Sequence, residues 1–152
     1  MRVVIVFNHP YNGSYCNSIL KSVERGLSKA GHEIDVIHLD QDQFNPVMTA
    51  EDLLAFKNKK CVDSQALEYI QRIKAADHLV FIFPIWWELM PALMKGFIDK
   101  VIFPGETYDY TSSGYRMTTL LDNLKSATVI TTMNTPTIMY KLMYSDAIKK
   151  LS

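Results

Sequence analysis

Two adjacent tryptophans, Trp86 and Trp87, follow directly on the apolar run His78-Leu79-Val80-Phe81-Ile82-Phe83-Pro84-Ile85, and Pro91 starts a helical pattern just beyond them. A strand buried on both faces reads as such a continuous apolar run, and in open α/β sheets ligands sit beyond the carboxyl ends of the strands. Two indoles at that exit are placed to stack on a flat aromatic ligand. They would serve equally as core or dimer-contact residues, because aromatics are enriched at interfaces too.

A second chemical signal lies after the first strand, in Asn8-His9-Pro10-Tyr11-Asn12-Gly13-Ser14-Tyr15-Cys16-Asn17, a polar loop opening onto a helix. Helix starts carry unpaired N–H groups and partial positive charge, so Ser14 and Asn17 are candidates to cradle a phosphate. Ser14 is also an ordinary helix cap. His9 is either a phosphate donor or a satisfied loop histidine. Neither a GxGxxG nor a GxxxxGK[ST] pattern is present, which argues against a dinucleotide Rossmann site and a P-loop alike. His32, His38 and His78 have no metal-ligand spacing, so no metal site is expected. No GxSxG elbow occurs, and Cys16 reads as a small buried residue rather than a nucleophile.

The elements that must position these residues alternate between strand and helix. Arg2 to Phe7 reads as a buried strand; Ile19, Leu20, Val23 and Leu27 share one face of a helix that stops at Gly31. Ile34, Val36, Ile37 and Leu39 mark a second strand. Helical spacing returns near Glu51 to Phe56 and again through Leu67, Ile70 and Ile73, before the strand at His78 to Phe83. Pro91 suits a first helical turn, with Leu93, Met94, Phe97, Ile98 and Val101 as the apolar stripe and Gly96 inside it marking close backbone packing. Pro104 to Asn123 is a polar, aromatic excursion loop; Ala127 to Thr132 resumes the sheet; and Ile138, Met139, Leu142, Met143 and Ile148 give a last helical pattern.

Right-handed crossovers leave few topologies for this alternation, and a doubly wound open parallel sheet in the α/β class is the most economical. The loops after the first, third and fourth strands (Asn8 to Asn17, Pro84 to Met90, Met133 to Tyr140) would then open at one edge of the sheet. They would bring anion-binding groups, aromatic platforms and polar groups to one crevice.

Composition narrows the function. The 152 residues suit a single domain over 1–152, and the 16 basic and 16 acidic residues cancel, without a Lys/Arg cluster that would mark nucleic acid as a partner. The longest apolar run falls well short of the ~20 residues of a membrane span, and the chain opens on a strand. Cys16 and Cys61 form no disulfide framework. A cytoplasmic protein with no transmembrane segment is expected.

Phe83-Pro84-Ile85-Trp86-Trp87, followed by Met90-Pro91-Ala92-Leu93-Met94-Lys95-Gly96-Phe97-Ile98-Asp99-Lys100-Val101, resembles the signature of the flavodoxin-like NAD(P)H dehydrogenase (quinone) family. That family includes the relatives of DT-diaphorase and of the potassium-efflux ancillary oxidoreductases. His9-Pro10 with Ser14 and Asn17 is similar to its flavin phosphate loop, and Thr131-Thr132 to the start of its fourth-strand loop.

The resemblance implies a flavodoxin-like fold, FMN or FAD as cofactor, NAD(P)H as electron donor and a quinone-like small molecule as acceptor, with two electrons passed in ping-pong order. It also implies that His9, Ser14, Tyr15, Cys16 and Asn17 hold the phosphate end of the flavin and that Pro84, Ile85, Trp86 and Trp87 lie along its ring system. Thr132, Met133 and Asn134 would line the pyrimidine side, and Tyr140 would be the polar partner of the reduced flavin. A homodimer is expected, because family sites are often completed across a subunit interface, with Tyr108-Asp109-Tyr110 as contributor.

Three departures stand out. Met133-Asn134 replaces the usual glycine pair, no histidine follows Tyr140 where some members have one, and the chain stops at Ser152 before the family's fifth strand and last helix. Either the domain is shortened or the chain is incomplete. These departures leave open a regulatory or interaction subunit on the same fold. A one-electron carrier of the flavodoxin type fits less well, since such carriers are usually strongly acidic.

Overall fold

The computed structural model describes residues 1–112, 114–136 and 138. Its main sheet has four parallel strands in the order β2-β1-β3-β6: β1 is Arg2–Phe7, β2 Glu33–His38, β3 His78–Pro84 and β6 Ser126–Thr132. β1 is an interior strand, paired on either side with β2 and β3, and both its faces are covered. Val3, Ile5 and Phe7 pack with Cys16 and Leu20 of α1 (Tyr15–Lys29), whereas Val4 and Val6 pack on the opposite face with Tyr69, Ile70 and Ile73 of α3 (Ser64–Lys74) and with Phe97 of α4 (Ala92–Val101). All five of these β1 side chains are fully buried, each worth about 1.5–3 kcal/mol relative to exposure.

The helix ends obey local chemistry. Ser14 Oγ accepts from Asn17 N to start α1, and the chain leaves that helix through Gly31 at φ +74°. α2 (Ala50–Lys57) opens with a reciprocal capping box between Thr49 and Asp52, and Asp63 caps α3. Gly96 of α4 faces Pro46, and a Cβ there would stand 2.3 Å from the Pro46 Cβ, so the close packing expected from the sequence is a backbone contact.

The stretch expected as an irregular excursion contains a small antiparallel hairpin, β4 (Tyr108–Tyr110) with β5 (Met117–Thr119). β6 is one of the two edge strands of the main sheet among the described residues, the other being β2; it pairs with β3 from His78↔Ser126 to Pro84↔Thr132, and its first four residues are exposed. The last helical pattern, with Tyr140, lies outside the described residues.

Candidate functional site

β1 and β3 are neighbours, yet their crossovers run in opposite directions, to β2 on one side and to β6 on the other. A crevice forms beyond the carboxyl ends of strands at such a reversal. Three interactions tie the loops together there. Asn8 N donates to Ile82 O at 3.0 Å, Ile85 N donates to Thr132 O at 2.7 Å, and Cys16 Sγ lies 3.0 Å from Thr132 Oγ1. The loop after β1, the loop after β3 and the end of β6 thus meet at one sheet edge.

On the β1 side, His9 lies edge-on to Trp86, with ring centroids 6.1 Å apart, and His9 Nδ1 accepts from Tyr11 N at 3.1 Å. Ser14 acts as the helix cap, so its Oγ already has a partner in Asn17 N. Tyr15 is 75% exposed, whereas Cys16 and Asn17 are buried. Burial pushes the Cys16 thiol above its usual range, and the Thr132 hydroxyl only partly offsets this. A thiol held protonated is a poor nucleophile, as expected from the sequence. The Asn17 side-chain oxygen is shut off from solvent with no hydrogen-bond partner. Buried polar groups are seldom left unpaired, so this oxygen on the first turn of α1 is an acceptor awaiting a donor.

On the β3 side, Pro84 is buried and Ile85 half-buried, and the chain then turns sharply. Trp86 N donates to Leu89 O at 2.9 Å and Leu89 N to Trp86 O at 3.1 Å, closing a two-residue hairpin whose tip is Trp87 and Glu88. Both tip residues have positive φ, +51° and +62°. A two-residue loop with both central residues left-handed matches a type I′ turn, where Asn and Gly are the usual occupants. Trp and Glu in that conformation are strained, and strain of this kind clusters at ligand sites. The turn holds Trp87 almost wholly in solvent, 97% exposed, with Trp86 at 46%.

Ile85, Trp86, Trp87 and Glu88 form one wall of a crevice of about 320 Å³, and Met133, Asn134 and Thr135 form the other. Thr132 sits at its base through its contacts with Ile85 and Cys16. The structure therefore gathers His9, Cys16, Pro84, Ile85, Trp86, Trp87, Thr132, Met133 and Asn134 around the β1/β3 reversal, with Ser14 and Asn17 at the adjoining helix start. The Tyr15 side chain is mostly exposed to solvent. Tyr140 lies outside the described residues. Among the described residues no helix is long and apolar enough to cross a membrane.

Two residues of this edge escaped the sequence reading. Asn8 is buried, donates from Nδ2 to Asp40 Oδ2 at 2.8 Å and keeps an unpartnered side-chain oxygen. Glu88 lines the crevice and has one carboxylate oxygen closed to solvent without a partner. The signal for Asn8 was its place as the first polar residue after β1. Nothing in the sequence around Glu88 marked it.

A family model described as a flavodoxin-like fold matches residues 1–150. An uncharacterized NAD(P)H oxidoreductase of Escherichia coli, YcaK, is 32% identical over 108 residues, covering 70% of this chain and 55% of that protein. A ribosyldihydronicotinamide dehydrogenase (quinone) of Mus musculus is 30% identical over 125 residues, covering 71% of this chain and 54% of its own length. Among solved structures, an NAD(P)H:quinone oxidoreductase from Methanothermobacter marburgensis superposes with a TM-score of 0.86 at 28% identity, covering 98% of this chain and 75% of that one. The chain spans about half the length of the curated relatives it matches.

Proposed function

Because the chain belongs to the flavodoxin-like fold family, we propose that it is a flavin-dependent NAD(P)H oxidoreductase that passes two electrons to a quinone or similar small acceptor. The observation that carries this reading is the joining of three loops at the β1/β3 reversal, with exposed indoles on one side and a helix start on the other. Relatives bearing NAD(P)H oxidoreductase and quinone dehydrogenase names support it.

The residues present fit FMN or FAD. The start of α1 offers N–H groups to a phosphate, and the unpartnered oxygen of Asn17 can accept from a ribityl hydroxyl. Trp86 and Trp87 would offer apolar faces to a planar ring system, and Met133 and Asn134 would close the opposite side. A bound flavin supplies the two-electron relay by which NAD(P)H + H⁺ + quinone become NAD(P)⁺ + hydroquinone. The side chains hold donor and acceptor in turn over the same face and exclude water, which makes a ping-pong order the natural one. Tyr140 is proposed as the polar partner on the reduced side. Cytoplasmic residence belongs to the same proposal, consistent with both cysteines being free.

We further propose a homodimer in which the hairpin contributes to the partner's crevice. Tyr108 and Tyr110 stack edge-on at 5.8 Å, and Tyr110, Tyr115 and Met117 are exposed on the hairpin. Elution at the monomer mass with full activity would remove this part of the proposal.

The test is an absorbance spectrum of the purified chain with added FMN or FAD, followed by NADH or NADPH. Flavin bands that bleach with reductant and return with a quinone support the reading. Protein that stays colourless and takes up neither flavin overturns it in favour of a regulatory or interaction subunit, the role that side chains at Met133 and Asn134 in place of glycines would suit.

A further inference from the structure

Among the described residues Glu88 is the one acidic side chain on the crevice wall, and its surroundings give its charge a purpose. It sits at the tip of the Trp86–Leu89 hairpin at φ +62°, beside a Trp87 that is 97% exposed. Among the described residues it has no ion pair and no hydrogen bond, and its Oε2 is closed to solvent. Among the described residues no cation neutralises this carboxylate, so a positive charge brought into the crevice is attracted to it. The indole next to it attracts a positive charge over its face, most strongly when water is excluded. Carboxylate and indole therefore favour the same visitor, a flat molecule with a positive charge on its rim. An anionic group at that place meets repulsion and, among the described residues of the crevice wall, finds no compensating cation.

We propose that Glu88 sets the acceptor preference of this crevice, selecting planar acceptors that carry a cationic group at the rim over those that carry an anionic one. The inference rests on the flavin oxidoreductase reading for its turnover arm and on the crevice alone for its binding arm. The left-handed turn keeps the Glu88 backbone at the wall, because both Trp86–Leu89 hydrogen bonds hold it there.

The full flavin-loaded chain is compared with Glu88→Gln and Glu88→Lys, using naphthoquinones that differ only in a trimethylammonium or a sulfonate substituent. Wild type is expected to prefer the cationic quinone in kcat/KM by about tenfold, the worth of one partly desolvated charge contact. Glu88→Gln should bring the ratio close to one and Glu88→Lys should reverse it. In the binding arm, quenching of tryptophan fluorescence by 1-methylquinolinium in the flavin-free chain should weaken about tenfold in Glu88→Gln, while quenching by naphthalene-2-sulfonate should not weaken. Ratios and affinities that are the same in all three proteins overturn the inference. Failure of the chain to oxidise NAD(P)H with any quinone would sink the functional reading instead, and the fluorescence arm would still decide the role of Glu88.

Discussion

Cys16 Sγ and Thr132 Oγ1 lie 3.0 Å apart although 116 residues separate them, so the first turn of α1 is fastened directly to the end of β6. That contact joins the proposed phosphate end of the crevice to its base. Thr132→Val keeps the branched shape and removes the hydroxyl. The variant should lose about 1 kcal/mol, the typical worth of one such bond, in urea unfolding. It should also bind flavin several-fold more weakly, as measured by fluorescence titration. Unchanged flavin affinity at a lower stability would confine the contact to a structural role.

The hairpin tip makes a different trade. Trp87 holds φ +51° and buries almost nothing, so Trp87→Gly removes strain at little packing cost. A non-glycine residue in the left-handed region costs about 1–2 kcal/mol, partly offset in glycine by a more flexible unfolded chain. The expected net is a gain of about 1 kcal/mol and a rise of a few degrees in Tm by calorimetry, accompanied by weaker flavin binding. A fall in Tm would show that the indole contributes packing to the folded chain.

The contrast between these two sites explains what could be read in advance. β1 and β3 were legible because burial on both faces leaves continuous apolar runs such as Val3 to Phe7, and the tryptophan pair stood out because a core strand has no use for it at its exit. The β4–β5 hairpin was not, since three-residue strands reading Tyr-Asp-Tyr and Met-Thr-Thr are too short to show a period. The turn at Trp87 and Glu88 was hidden for another reason. Its conformation normally announces itself as Asn-Gly, and here it is imposed by two hydrogen bonds between Trp86 and Leu89. Lys100 likewise gave no sign of burial, because its carboxylate partners come from the starts of two other helices.

Gly96 tests the packing of α4 directly. Its backbone lies so close to Pro46 that a Cβ would come within 2.5 Å of both the Pro46 Cα and its carbonyl oxygen. Backbone atoms cannot swing aside as a side chain can. Gly96→Ala would gain helix propensity of about 1 kcal/mol at an open site, but here overpacking should outweigh it and leave a net loss of about 1–3 kcal/mol. Equal or higher stability in chemical unfolding would mean that the loop at Pro46 shifts without cost.

Lys100 is 3% exposed and pairs with Asp63, lies 3.7 Å from Asp52 Oδ2 and donates to Asn45 O at 3.4 Å. Removing one partner of a buried pair is more damaging than removing both, so Lys100→Met should cost about 3 kcal/mol or more. The pH dependence gives an independent check. Burial pushes the Asp63 carboxyl up, but the hydrogen bond and charge of Lys100, with the Ala66 N–H, outweigh it and hold the group below its ordinary value of 3.8. A carboxyl depressed by folding stabilises the native state above its unfolded value, and that contribution disappears as the pH falls through the folded one. Wild type and Lys100→Met should therefore differ most near neutral pH, and the gap should narrow as the pH drops below about 4. The double variant Lys100→Met/Asp63→Asn should recover part of the loss at pH 7. Urea melts at pH 7, 5 and 3.5 measure both effects, and a gap that stays constant across that range would show that the cost is one of packing volume alone.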